Sequence, residues 1–182
     1  MKKSYMKQLL IYLYFALVAA LITSCTQQGT LLVIDENAPA QVMINATIQH
    51  TDSGRLQMVM WGEEIWNFDD EDETQEFPSN VKATFYDEFG NMTTIITANE
   101  GTNRQRKQLM NLRGNVIIQD LRDGKRTYTE DFWWDQDKGE IYSDVPVKQV
   151  WTCGTIQRGT AFRADEQMHN WDIRNPRFTF SL

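Results

Sequence analysis

The chain has 182 residues, 41% of them apolar and 12% aromatic, which is enough for one folded domain with its own core. Its 25 acids against 18 bases give a net charge of −7, which excludes nucleic acid as a partner held by bulk charge. Two cysteines exclude a disulfide framework, and the two histidines, His50 and His169, lack metal-ligand spacing.

Residues 1–24 are a separate object. Lys2, Lys3 and Lys7 precede an uncharged run from Leu9 to Ile22, and Ile22-Thr23-Ser24-Cys25 follows. At 14 residues the run is shorter than the roughly 20 that span a bilayer. The tetrapeptide resembles the lipobox of bacterial lipoproteins, in which signal peptidase II cuts before a lipidated cysteine, so Cys25 is the expected lipid-attachment site. The other reading is a single uncleaved membrane helix. In both, the domain is exported and tethered to a membrane by its N-terminus. Cleavage removes three lysines and no acid, leaving 15 bases against 25 acids and a net charge of −10. Cys153 is then without an intramolecular partner and reads as a small core or strand residue.

Residues 25–40 read as a tether, and within them Leu31-Leu32-Val33-Ile34 is an edge strand or a partner contact. A domain over 41–182 follows. Val42 to His50 and Arg55 to Phe68 form a first hairpin around Asp52-Ser53-Gly54, with Ile44, Ala46 and Ile48 on one face, as are Leu56, Met58 and Met60. The acidic run Asp69 to Glu76 has no glycine to shape a Ca2+ turn and reads as a solvated loop. Asn80 to Tyr86 and Met92 to Asn99 form a second hairpin around Phe89-Gly90-Asn91. Gly101 to Gln108 is a polar, basic spacer. Leu109 to Val147 then reads as three antiparallel strands turned at Asp123-Gly124 and Lys138-Gly139, where glycine supplies the positive φ of a tight turn. The third of these strands runs from Ile141 to Val147. Gln149 to Ile156 and Gly159 to Glu166 give another pair, and Pro176 to Leu182 ends the chain. Turn glycines at 54, 90, 124 and 139, with hardly a helical period between them, predict an all-β fold of successive antiparallel hairpins behind an N-terminal signal or anchor: a twisted, incompletely closed barrel or an open β-jelly roll.

Four stretches carry a family resemblance: Ile96-Thr97-Ala98-Asn99-Glu100-Gly101, Leu112-Arg113-Gly114-Asn115-Val116, Ser143-Asp144-Val145-Pro146-Val147, and Gly159 with Phe162, Ala164 and Asp165. In order and spacing they resemble the OstA-like domain of the LptC family of lipopolysaccharide export, over Val42 to Phe180. The resemblance implies a V-shaped β-jelly roll, open at both ends, that holds the acyl chains of lipopolysaccharide between its sheets. It implies an LptB/LptF/LptG-like transporter as the supplier of lipid, an LptA-like bridge protein as the receiver, no cofactor and no reaction. Many members keep an N-terminal transmembrane helix, so a lipobox at Cys25 is a departure.

The expected lipid-binding lining is Val81, Ala83, Phe85, Ile96, Ala98, Val116, Ile118, Val145, Val147 and Phe162; in a domain whose sheets close on each other the same residues are simply its core. Phe178, Phe180 and Leu182 alternate on one face of an uncharged last strand, the expected partner-binding edge for β-augmentation, unless that strand lies inside the sheet. No catalytic motif is present. Two rivals remain: an outer-membrane interaction lipoprotein with a closed core, and a glycosidase built around Glu130, which shares a predicted face with Tyr128, Phe132 and Trp134.

Overall fold

The computed structural model describes residues 38–165 and 170–180; Cys25, the Leu31 to Ile34 run, His169 and Leu182 lie outside them. The described residues form β1 Gln41–Asp52, β2 Arg55–Asn67, β3 Thr74–Phe77, β4 Val81–Tyr86, β5 Met92–Ala98, β6 Glu100–Arg104, β7 Leu109–Asp120, β8 Arg126–Asp135, β9 Glu140–Ser143, β10 Val147–Val150, β11 Ile156–Gly159, β12 Ala161–Asp165, β13 Trp171–Arg174 and β14 Arg177–Thr179, with one 3₁₀ turn at Gln105–Lys107. Among the described residues no helix is long and apolar enough to cross a membrane.

Every pairing is antiparallel, and four long strands each serve two walls. The first wall runs β1-β2-β4-β5-β7-β8-β10-β11-β14 and the second β1-β2-β3-β6-β7-β8-β9-β12-β13. β7, for example, pairs with β6 through Leu109 to Arg113 and with β5 through Ile117 to Asp120. One continuous core, from Met58 to Ile173, draws side chains from both walls. This is the expected all-β jelly roll.

A strand can join two walls only if it bends, and the bends fall on one line. Gly114 and Asn115 on β7 have φ of 73° and 49°, and the register of β7 against β8 shifts there. Glu130 on β8 lies opposite, its carboxylate accepting from the Asn115 amide at 3.2 Å. On β1 the bend is Asn45, φ 49°, where the pairing with β2 skips Asn45 and Glu63. Connections between walls cross the same line at Asn80, Asn99, residues 144–146 and Asn175. The amides along it are satisfied in sequence: Glu63 N donates to Asn80 O at 3.3 Å, Asn80 N to Asn99 O at 2.7 Å, and Asn99 N to Gly114 O at 2.9 Å.

Each bend shifts the side-chain phase by one, and this corrects several sequence expectations. Ile44 does not share a face with Ala46 and Ile48. It is 61% exposed, and Met43 takes its place against the core. Glu130 is exposed, whereas Phe132 and Trp134 beyond the bend are buried, so the predicted shared face does not exist. The strand expected over Ile141 to Val147 breaks at residues 144–146, and Val145 is half-buried at the crossing. The loop expected through Glu76 holds β3, and the spacer expected over Gly101 to Gln108 holds most of β6. Their flanking charges pair: Lys107 with Asp72 at 2.6 Å and Arg106 with Glu73 at 2.7 Å. The run from Gln149 to Ile156 holds the end of β10, a turn over 151–155 and the start of β11, while β12 pairs with β9 and β13. Cys153 lies exposed in that turn rather than in the core.

Gly114 is held by more than its φ, since a Cβ there would stand 2.9 Å from Asn99 Nδ2. Gly90, at φ 83° in an open turn, has nothing within 4 Å. Gly114→Ala is expected to cost about 3 kcal/mol against about 1 kcal/mol for Gly90→Ala, as read by urea unfolding.

Candidate functional site

The inner face of the first wall carries one uninterrupted cross-strand row. Ile48 on β1 faces Met60, then come Ala83, Ile96, Ile118, Thr127, Gln149, Gln157 and finally Phe178 on β14. Nine strands at about 4.8 Å spacing make a track of roughly 38 Å, running from one sheet edge to the other. β1 pairs only with β2 and β14 only with β11 among the described residues, so both ends are edges. Next to this row, toward the bend, lie Val81, Ala98, Val116, Thr129 and Val147.

Eight of the ten predicted lining residues thus fall on the first wall's inner face: Val81, Ala83, Phe85, Ile96, Ala98, Val116, Ile118 and Val147. Phe162 packs into the same core from the second wall, and Val145 is the one that the crossing sets apart. Sequence reasoning missed most of the facing wall, in which Ile65, Phe77, Met110, Leu112, Phe132, Trp134, Ile141 and Ile173 are buried. It also missed the polar step in the row, because Thr127, Gln149 and Gln157 fall where strand alternation calls for apolar residues.

The walls touch far from the bend. The ring of Phe85 meets Trp134 edge-on with centroids 5.3 Å apart, and Lys125, in the turn before β8, sits 4.9 Å over the ring of Trp171 on β13. The interior is therefore filled in this conformation. A cleft of about 450 Å³ lies instead beside the bend, lined by Asn115, Ile117, Tyr128, Glu130, Lys148 and Arg158 among others. At the other end, the rings of Phe178 and Phe180 stack at 6.2 Å and are 53% and 71% exposed.

The described residues contain no group of three acids, histidines or cysteines able to hold a metal ion. Their perturbed carboxyls have structural causes. Burial pushes Asp120 up, but Arg122 donates Nε to Oδ1 at 3.0 Å and Nη2 to Oδ2 at 2.7 Å, and these bonds hold it below the usual carboxylate value. Lys138 does the same for Asp135 through its Nζ.

A family model described as lipopolysaccharide-assembly, LptC-related, matches residues 8–173. The chain belongs to the LptC-related family. No curated protein matches it. Among solved structures it is similar to LptH, the LptA-homologous periplasmic component of the conserved lipopolysaccharide transport device of Pseudomonas aeruginosa, at 12% identity and a TM-score of 0.50. That match covers 81% of this chain and 99% of LptH, and it establishes a shared fold. LptC-related membership makes the chain a periplasmic component of lipopolysaccharide transport. Three of the four sequence stretches that carry the family resemblance touch the line of bends, at Asn99, Gly114-Asn115 and residues 144–146, and the fourth begins at Gly159, where the chain passes from β11 through Thr160 to β12. In this LptC-type domain those motifs serve the turning of strands from wall to wall.

Because Asp120 and Asp135 have lowered pKa values in the fold, their contribution is complete above the unfolded carboxylate value and is lost as pH falls below about 4. Thermal melts between pH 7 and pH 2 should show that loss. Asp120→Asn should be less stable than wild type by about 2 kcal/mol at pH 7, with the gap closing in acid.

Proposed function

We propose that this domain is a non-enzymatic carrier on the periplasmic side of the inner membrane, tethered by an acylated Cys25 or an N-terminal helix. It accepts lipopolysaccharide from an LptB/LptF/LptG-like transporter and passes it to an LptA-like bridge protein. The acyl chains travel between the walls while the sugars stay in water. The observation that carries this reading is the edge-to-edge inner row, apolar from Ile48 through Ile118 and ending, among the described residues, at an edge strand on each side. Each CH2 group kept from water is worth about 0.8 kcal/mol, so covering the chains is enough and no reaction is needed. Because Phe85 and Trp134 bridge the interior, the walls must part at that contact to admit a chain.

The β14 edge is the donor side. Soluble proteins seldom leave two stacked phenylalanines beside unpaired backbone groups, and an incoming β-strand would cover both. The rival reading, an interaction lipoprotein with a permanently closed core, draws on the same Phe85–Trp134 contact.

Photoreactive residues at Phe85 or Ile118 in the full chain should crosslink to lipopolysaccharide in the cell envelope, with outward-facing Lys82 as a silent control. Absence of crosslinks from both apolar sites in a folded domain would favour the closed-core rival. Phe178→Asp with Phe180→Asp should abolish bridge-protein capture while unfolding stability stays within about 0.5 kcal/mol. Equal loss of binding and folding would remove the edge from the account.

A further inference from the structure

The row that is apolar on its first five strands turns polar on the next three, close to the β14 edge. Thr127, Gln149 and Gln157 are adjacent in register and 1%, 0% and 4% exposed. Four of their polar atoms have no hydrogen-bond partner: Thr127 Oγ1, Gln149 Nε2, Gln149 Oε1 and Gln157 Oε1. Buried amides and hydroxyls are nearly always paired, because leaving them dry costs stability, and three in one row is not a stray defect. Leucine or valine at these positions would continue the apolar track. What the row offers is specific: two carbonyl acceptors, an amide donor and a hydroxyl that can do either.

That set does not suit a phosphate or carboxylate, which the two carbonyl oxygens would repel, nor a plain hydrocarbon, which would leave all four atoms unpaired. It suits a neutral group that both donates and accepts. We propose that Thr127, Gln149 and Gln157 form a recognition step for the amide, ester and hydroxyl groups at the carboxyl ends of glycolipid acyl chains. The proposal rests on the carrier reading above and adds to it a basis for choosing cargo. A phospholipid's ester carbonyls can only accept, whereas amide-linked hydroxyacyl chains meet the acceptors Gln149 Oε1 and Gln157 Oε1 as well as the donor Gln149 Nε2. The apolar part of the row would hold either lipid, and the polar step would favour the one with donors. Its place next to β14 puts that check just before the exit edge.

The test uses the full chain in nanodiscs with a photoreactive residue at Ile118, which is the register neighbour of Thr127. Two probes are compared: a lipid A carrying amide-linked hydroxyacyl chains, and phosphatidylglycerol of matched chain length. Wild type should crosslink lipid A in preference. Gln149→Leu with Gln157→Leu should lower that preference about tenfold with phosphatidylglycerol crosslinking undiminished, the loss expected for one or two hydrogen bonds. Thr127→Val, which keeps the side chain's shape, should lower it several-fold. Thermal melts keep misfolding apart, since both changes remove unpaired polar atoms and should leave the melting temperature unchanged or raised. An unaltered lipid preference in folded variants would mean that the row holds ordered water only, overturning this inference and leaving the carrier reading intact. Absence of crosslinks to either lipid in wild type would overturn the carrier reading and this inference with it.

Discussion

Everything in this domain depends on how strands get from one wall to the other. A continuous strand shared by two sheets must turn sharply without leaving its backbone groups dry, and this chain does so with asparagines and a glycine in the left-handed region. The turned segments then hydrogen-bond to one another, Glu63 to Asn80 to Asn99 to Gly114. Because β2, β7 and β8 each contribute to both walls, the line of bends fixes where the walls stand and in what phase their side chains face inward. The core, the inner row and the two free edges are consequences of that line.

The same line explains what the sequence made legible. Hairpin turns at Gly54, Gly90, Gly124 and Gly139 could be read because each pairs a turn residue with flanking alternation, and all four adopt positive φ. Where alternation continued without a bend, as from Val81 to Phe85 or Thr94 to Ala98, the inward residues were also readable. The phase changes at Asn45 and Glu130 were not, since a strand pattern presumes one phase. β6 was hidden for a different reason: of Glu100 to Arg104 only Gly101 is fully buried, packed where a Cβ would lie 2.7 Å from Leu112 Cδ2, so no apolar alternation betrays the strand. β3 was masked by the acids before it, whose partners Arg106 and Lys107 lie more than thirty residues away in sequence.

The functional residues divide in the same way. Aliphatic lining could be named from the sequence because core and lipid track ask for the same residue types. Their proposed role as lipid lining depends on whether the walls part, and in this conformation the shared core and, far from the bend, the contacts Phe85–Trp134 and Lys125–Trp171 join them. Contacts of this kind are worth only about 0.5–1.5 kcal/mol each, little against the burial of an acyl chain. On the proposed carrier reading, an entering acyl chain would replace the core contacts that it displaces there while the hydrogen-bonded bends stay in place.

That separation can be measured directly. Spin labels at Phe89, in the exposed β4–β5 turn, and at Asp137, in the exposed β8–β9 turn, flank the Phe85–Trp134 contact from opposite walls. With Cys153 replaced by serine, electron–electron distance distributions would be recorded on residues 26–182 with and without lipopolysaccharide. The account predicts a short, narrow distance in the empty domain and a longer one on lipid addition. An unchanged distance under conditions where lipid binds would contradict entry between the walls.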